Sequence, residues 1–247
     1  MKFSELIAPV KMPEFKKKIL AGETFVIKGK KKKFSHLISL AEIEAVLNNG
    51  CNTNLPVEMI VKGGRGTVAD TNILWAPVSL RKKEILQLIN EKNSMLMRNM
   101  SQITPRVAAM IDEIETVFEG AHADVHLYMS LKKSSSGYNA HRDRPQHKLY
   151  LQVIGSTMWK VFSHSNDLDD EIVSVKEEDE WRYLKQEKEF TLEAGDMLYM
   201  PPATFHKVRN EDGPRISLSI PFYVPEKPYN RMDRTYIPFK KIFESRS

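Results

Sequence analysis

Cysteine is nearly absent from this chain: Cys51 is the single cysteine in 247 residues. One cysteine cannot form an internal disulfide, so the sequence suits a reducing compartment and we expect a cytoplasmic protein. No nearby residue would make Cys51 a nucleophile, and we interpret it as structural. Long apolar runs are also missing. No segment approaches the roughly 20 residues of a membrane span, and the first residues lack the apolar stretch of a secretory signal, so we expect no membrane partner.

Strong net charge is the next absence, because the formal charge is only +5. Much of it comes from lysines at 16–18 and from five lysines between Lys28 and Lys33. Such a run could attract an acidic or RNA-containing partner, or it could be a solvated turn. No aromatic residues interleave the lysines as they do in a stacking platform, so we favour the turn and do not expect nucleic acid to be the direct substrate. The glycine-rich 63–66 segment is predicted to be a loop, but it lacks the Lys-Ser/Thr ending of a phosphate-binding loop.

The first 120 residues predict a mixture of helices and short strands. Helices are expected at 12–21, from Ser39 onward, at 79–93 and from Thr104 to Gly120, and strands at 24–27, 57–61 and 95–100. Ser39 with Glu42 forms a capping-box pattern, and Thr104 before Pro105 is a typical helix start.

The pattern changes after Gly120, where short alternating apolar segments follow one another without helices. Many short strands at this spacing indicate an antiparallel sandwich or barrel. We expect a mainly β fold with flanking helices: one domain over 1–225, in which 1–120 is the α/β flank and 121–225 the β core, and a C-terminal tail at 226–247. The predicted strands are 125–131, 148–154, 158–162, 171–175, 189–192, 197–200, 207–209 and 216–224.

Three side chains in the β region have the chemistry of a metal site. His141 and Asp143 are separated by one residue, so on an extended backbone they project to the same face. His206, at the end of a segment with its own turn signals, is the best placed third ligand. Two imidazoles and one carboxylate on one face of an iron(II) ion leave its other positions open for substrate and oxygen. Ligand type alone does not select iron, so manganese and zinc stay open.

The motifs in this region resemble those of the JmjC-like cupins, particularly the ribosomal oxygenase branch. The similarity covers His141-Arg142-Asp143, Leu149 to Gly155, Trp159 to Phe162, Glu193 to Pro202 with His206, and Ser217 to Phe222. Thr24 to Gly29 and Ser39 to Leu47 are similar to the strand and helix that precede the barrel in that family. The resemblance implies a double-stranded β-helix and an iron(II)- and 2-oxoglutarate-dependent dioxygenase that uses O2. It makes His141, Asp143 and His206 the catalytic metal ligands.

The residues that would bind 2-oxoglutarate match the family pattern less well than the metal ligands do. Relatives usually carry a lysine or arginine where this chain has Thr157, and an unpaired buried carboxylate is costly. Lys148, Tyr138 and Arg215 are alternative partners; Arg215-Ile216-Ser217 is similar to the Arg-x-Ser anchor of other iron oxygenases. Ser219 is a further candidate by its family position, and Tyr150 is included among the cosubstrate-binding candidates. His126 could point into the barrel and His147 could lie near its mouth, but we expect both to be structural or exposed.

Three functions remain open on these residues. The resemblance implies hydroxylation of a protein or peptide side chain. A small-molecule oxygenase is a second possibility, because no additional domain for gripping a large substrate is evident. A cupin that binds metal or ligand without turnover is a third, supported by the missing cation at Thr157. The resemblance also suggests a homodimer through the N-terminal helices.

Overall fold

The computed structural model describes residues 1–49, 57–61, 64–66, 82–135, 137–210 and 212–224. Cys51, Gly63, the predicted helix start at Ser79 and the predicted C-terminal tail lie outside these ranges. The helices are α1 Phe3–Ile7, α2 Met12–Leu20, α3 Leu40–Asn49, α4 Lys82–Asn90, α5 Pro105–Val117 and α6 Glu180–Tyr183. The strands are β1 Phe25–Ile27, β2 Val57–Val61, β3 Gly64–Gly66, β4 Ser94–Met97, β5 His122–Ala123, β6 His126–Ser130, β7 Ala140–His141, β8 His147–Ile154, β9 Ser156–His164, β10 Ser174–Val175, β11 Leu184–Glu193, β12 Met197–Met200, β13 Phe205–Arg209 and β14 Arg215–Tyr223.

The two helix starts predicted from capping residues are confirmed. The Thr104 hydroxyl accepts a hydrogen bond from the Val107 backbone N–H at 3.0 Å, with Pro105 in the first turn of α5. The Ser39 hydroxyl accepts from the Glu42 N–H, and the Glu42 carboxylate accepts from the Ser39 N–H at 2.8 Å. Each pair satisfies backbone donors that the first turn of a helix leaves free.

The strands form two antiparallel sheets. The larger sheet has nine strands in the order β1-β12-β8-β14-β6-β4-β2-β3, with β5 paired to β14. The smaller sheet has five strands in the order β10-β7-β13-β9-β11. From β6 to β9, and again from β11 to β14, consecutive strands alternate between the two sheets, as in a double-stranded β-helix. Gly155 turns the chain from β8 to β9 at a φ of +69°, and a Cβ there would collide with the Pro214 carbonyl oxygen, so this corner requires glycine.

Alternation along β8 separates two packing faces. Leu149 and Leu151 join the large core in which α1, α2, α3 and α5 cover the larger sheet. Tyr150 points the other way and packs with Trp159 and Leu198 in a smaller cluster between the sheets. Because side chains two apart share a face of a strand, Lys148 and Gln152 lie on the same side as Tyr150. The interior between the sheets therefore receives polar residues.

Several sequence predictions differ from the structure. Residues 64–66, predicted as a loop, pair with β2, as at Met59 and Gly66. The strand predicted at 171–175 shrinks to β10, because the Ile172 carbonyl accepts a hydrogen bond from the Arg142 side chain. Four further elements, α1, α6, β5 and β7, are too short to show a period and carry no pattern that predicts them. None of the helices in the described part of the chain has the length and apolar character needed to cross a bilayer.

Candidate metal centre and adjoining pockets

The three predicted metal ligands converge. His141 in β7 is the direct partner of His206 in β13, and their ring centroids are 4.3 Å apart. Asp143 follows β7, and its Oδ2 lies 3.8 Å from His206 Nε2. One donor atom from each of the three residues lies within 4.8 Å of the others. Side chains that are 63 residues apart in the sequence thus form one cluster, which is the geometry that the His-x-Asp and distal histidine pattern predicts.

Backbone carbonyls fix the orientation of both imidazoles. His141 Nδ1 lies 2.9 Å from the Asn139 carbonyl oxygen, and His206 Nδ1 lies 3.0 Å from that of Thr204. A carbonyl only accepts, so each Nδ1 carries the hydrogen and donates it. Each Nε2 then keeps a lone pair for a metal, the usual arrangement of histidine ligands.

The protonation states also suit a cation. Burial, and then the neighbouring His141, lowers the pKa of His206 to about 3; burial lowers the pKa of His141 as well. Burial alone would raise the pKa of Asp143, but Lys148 and the two histidines outweigh it and bring that pKa to about 2. Two neutral imidazoles and one carboxylate are therefore present at neutral pH. This donor set fits iron(II), manganese or zinc.

An inner pocket opens beside the metal ligands. Its polar end is Arg215 at the start of β14, next to Ser217, and its apolar walls include Trp159. Trp159 stacks on His206 with ring centroids 5.7 Å apart. The lining residues are Ile60, Tyr128, Gly137, Tyr138, His141, Tyr150, Trp159, His206, Val208, Arg215 and Ser217.

Arg215 is a buried cation held by neutral groups. Its Nε donates to the Ser130 hydroxyl at 3.2 Å and its Nη1 to the Ser217 hydroxyl at 3.3 Å. Only 5% of the residue is exposed, and no carboxylate among the described residues pairs with it. Burial lowers the pKa of Arg215 to about 10, so the guanidinium stays charged at neutral pH. A buried charge without a counter-ion is costly, and such a group is prepared to receive an anion.

Thr157 occupies the usual anchor position of the family, but its hydroxyl forms hydrogen bonds within the protein. Its hydroxyl accepts from Trp159 Nε1 at 2.9 Å and donates to Gln152 Oε1 at 3.0 Å. Gln152 Oε1 also accepts from Ser217 at 2.8 Å. Thr157 lines neither the inner pocket nor the pocket described next. Gln152 was not among the predicted site residues, although its spacing two residues after Tyr150 places it on the inward face of β8.

An outer pocket adjoins the inner one and shares Tyr128, Tyr138 and His141 with it. Lys148 lines the outer pocket, and its Nζ is 2.8 Å from Asp143 Oδ2. Lys148 was predicted as an alternative anchor for the cosubstrate. In the structure this lysine is already paired with a metal ligand. The outer pocket is lined by Arg98, His126, Tyr128, Tyr138, His141, Arg142, Asp143, Lys148, Val173 and Ser174.

The remaining predicted residues divide between the site and the scaffold. The Tyr150 hydroxyl lies 3.3 Å from His206 Nε2, so Tyr150 borders the metal position. Ser219 is buried in β14 opposite Tyr150 and lines neither pocket. His147 bonds the Tyr199 hydroxyl at 2.8 Å and stacks on Phe222, which is the structural role expected for it. His126 instead lines the outer pocket, the less favoured of its two interpretations.

A two-histidine, one-carboxylate centre between the sheets of a double-stranded β-helix defines a cupin-type metal site. A comparison with protein families matches residues 96–228 to the JmjC domain. The match covers more than half of the chain and includes all three candidate ligands. The chain belongs to the JmjC domain family.

Solved structures show the same fold. An X-ray structure of E. coli ycfD is 15% identical, with a TM-score of 0.60 over 95% of this chain and 66% of that one. A structure of YcfD, a ribosomal oxygenase from Escherichia coli, in complex with cobalt and 2-oxoglutarate has a TM-score of 0.59 and 15% identity over 96% of this chain. This chain spans 65% of that YcfD chain, slightly less than two thirds of its length. A comparison with curated protein sequences gave no match.

Proposed function

We propose that this protein is an iron(II)- and 2-oxoglutarate-dependent oxygenase. His141, Asp143 and His206 would hold the metal, and Arg215 would bind the far carboxylate of 2-oxoglutarate. Bound together at this centre, iron(II) and 2-oxoglutarate supply the chemistry that activates O2. YcfD structures with cobalt and either 2-oxoglutarate or succinic acid support the same pair of ligands for this fold.

The buried Arg215 is the observation that carries the proposal. It lies in the same pocket as the metal ligands, is charged at neutral pH, and has only serine hydroxyls as partners among the described residues. A dicarboxylate can reach the metal with one end and a guanidinium with the other. Arginine suits this task because its planar fork matches a carboxylate. The lack of a cation at Thr157 supports a cupin without turnover, but Arg215 provides a cation elsewhere in the pocket.

The other residues of the inner pocket prepare it for this ligand. Ser130 and Ser217 orient the guanidinium, and Gln152 in turn orients Ser217. Trp159 packs against the His206 ring and limits its rotation. Apolar and aromatic walls exclude water, which strengthens the ion pair that Arg215 would form.

We extend the proposal to the substrate and its setting. The similarity to a ribosomal oxygenase supports a protein or peptide side chain as substrate, and a small molecule remains the second candidate. Catalysis would be cytoplasmic, in keeping with a single cysteine. A homodimer through the N-terminal helices is also proposed, from the resemblance alone.

Binding of both ligands in the absence of oxygen tests the proposal. Adding iron(II) and then 2-oxoglutarate to the wild-type protein should produce a weak visible charge-transfer band, and admitting O2 should produce succinate. Arg215→Met should weaken 2-oxoglutarate binding by about 10-fold or more, the loss expected for a charge-assisted contact of roughly 1.5–3 kcal/mol.

Arg209→Met is the matched control for this experiment. Arg209 lies in β13, is exposed and pairs with Glu177 outside both pockets. Its removal should leave the band unchanged. Iron binding that 2-oxoglutarate does not perturb in the wild-type protein would refute the oxygenase and favour a metal-binding cupin.

A further inference from the structure

Positive charge collects on the wall of the outer pocket. Lys148 and Arg98 both line it. Arg98 is held by Glu58 at 2.7 and 3.4 Å. Among the described lining residues, Asp143 is the only acid. Arg142 also lines the pocket, but its guanidinium bonds backbone carbonyls and stacks on Phe205.

Lys148 depends on a metal ligand for its counter-ion. Its side chain is only 8% exposed, and in the described part of the chain its one ion-pair partner is Asp143 Oδ2. The same oxygen faces His206 Nε2. A divalent cation held by Asp143 would neutralise this carboxylate and repel the ammonium. Lys148 would then be a buried cation with no anionic partner among the described residues, which is energetically unfavourable.

A neutral hydrogen-bonding group lies beside this lysine. Burial, and then Lys148 and Arg98, lowers the pKa of His126 to about 4, so its imidazole is uncharged at neutral pH. Its buried Nδ1 has no hydrogen-bond partner among the described residues. An uncharged imidazole can donate one hydrogen bond to a ligand without adding further positive charge.

We propose that the outer pocket accepts a substrate that carries a negatively charged group, a carboxylate or a phosphate, which Lys148 binds and His126 hydrogen-bonds. The anion would replace Asp143 as the counter-ion of Lys148 once the metal is bound. This inference rests on the proposed function, because it assumes a metal at the three ligands and 2-oxoglutarate at Arg215. Lys148 thereby becomes a residue that determines substrate specificity.

Small amide probes test the charge preference without turnover. The protein is loaded with manganese(II) and 2-oxoglutarate, and N-acetyl-aspartate amide, N-acetyl-phosphoserine amide and N-acetyl-asparagine amide are titrated separately. Paramagnetic relaxation of the acetyl protons reports binding close to the metal. At least one acidic probe should bind about 10-fold or more tightly than the asparagine probe, as expected for a contact to a charged group. The tighter of the two acidic probes identifies carboxylate or phosphate.

Variants of two buried lysines distinguish binding of the acidic probes by Lys148 from their direct ligation of the metal. Lys148→Met should abolish the preference for the acidic probes, and Lys148→Arg should retain most of it. Lys207→Met is the matched control, because Lys207 is equally buried but pairs with Glu180 and Glu177 outside the pockets. A preference that survives in Lys148→Met would mean that the probe binds the metal itself, and it would overturn the inference.

The relaxation of the 2-oxoglutarate protons in the same samples distinguishes the two proposals. If 2-oxoglutarate binds near the metal but acidic and neutral probes bind equally, the substrate inference is wrong and the oxygenase proposal stands. If 2-oxoglutarate does not bind to the wild-type protein, both are overturned.

Discussion

The inner and outer pockets each contain a buried cation beside the same metal ligands, but the two cations are compensated differently. Arg215 in the inner pocket is held by two serine hydroxyls. Lys148 in the outer pocket forms an ion pair with Asp143. Within the described part of the chain, Arg215 therefore has no anionic partner whether or not a metal is present, whereas Lys148 loses its anionic partner only when a metal binds.

This difference predicts an order of events. The inner pocket can receive a dicarboxylate as soon as the metal is in place, because its serine-held guanidinium needs no rearrangement. The outer pocket becomes attractive to an anion only after the metal has engaged Asp143. Such an order suits a site in which a cosubstrate must be bound before the substrate.

The largest effect is expected from a substitution in the metal centre that the two pockets share. His141→Ala should lower the affinity for manganese(II) or iron(II) by more than the roughly 10–100-fold that loss of an outer-shell partner costs. Both 2-oxoglutarate binding and probe binding near the metal should disappear with it. Calorimetric titration of the metal checks this, with His36→Ala as the control at an exposed histidine. Unchanged metal affinity in His141→Ala would remove the basis for comparing the pockets.

The second prediction concerns the stability cost of the inner cation. Arg215→Met removes a buried charge that has no acidic partner in the described structure, and replacing buried charges by apolar side chains is often neutral or stabilising by about 1–4 kcal/mol. The variant should therefore have an equal or higher free energy of unfolding while binding 2-oxoglutarate poorly. Denaturant unfolding without ligand measures it. A destabilisation of more than about 2 kcal/mol would instead make Arg215 a structural residue.

The sequence predicted the metal centre more completely than the pockets around it. His141 and Asp143 are neighbours, and the spacing of two on an extended chain is a local rule, so only His206 required the fold. The inner pocket depends on residues from β6, β8, β9 and β14, whose contacts are non-local. Ser130 and Gln152 carry no motif of their own, and only the sheet register brings Ser130 to Arg215 and Gln152 to Ser217.

The choice between Arg215 and Lys148 could not be made from sequence for a related reason. Both are cations near polar residues in β strands, and alternation places both side chains inward. The decisive difference is the partner of each, an aspartate for Lys148 and serines for Arg215. Pairing across strands depends on register, which a single sequence does not specify.

The third prediction tests whether Lys148 competes with the metal for Asp143. Lys148→Met should increase metal affinity by about 10-fold, because it removes a positive charge 2.8 Å from the ligand oxygen. The increase should be no larger, because the effective dielectric of such sites reduces the full Coulomb energy. Affinity for 2-oxoglutarate should change little. Competition titration against a chelator measures the metal affinities of the wild-type protein, Lys148→Met and the control Lys207→Met. Equal metal affinities in all three proteins would mean that the outer cation is not coupled to the metal.

The smallest expected effect concerns His126 and the acid stability of the metal-free protein. The pKa of His126 falls from 6.5 to about 4 on folding, so the unfolded chain binds more protons between those values. Stability should therefore decrease as the pH falls from about 6.5 towards 4, and His126→Gln should remove part of this decrease, on the order of 1 kcal/mol at pH 5. Denaturant unfolding at pH 7 and pH 5 measures it, and exposed His36→Gln provides the control. His141 and His206 titrate in the same direction, so the wild-type dependence of the free energy of unfolding on pH will exceed the share of His126. If His126→Gln left this pH dependence unchanged, the imidazole of His126 would already accept a proton in the folded outer pocket. It could not then serve as the neutral donor beside Lys148.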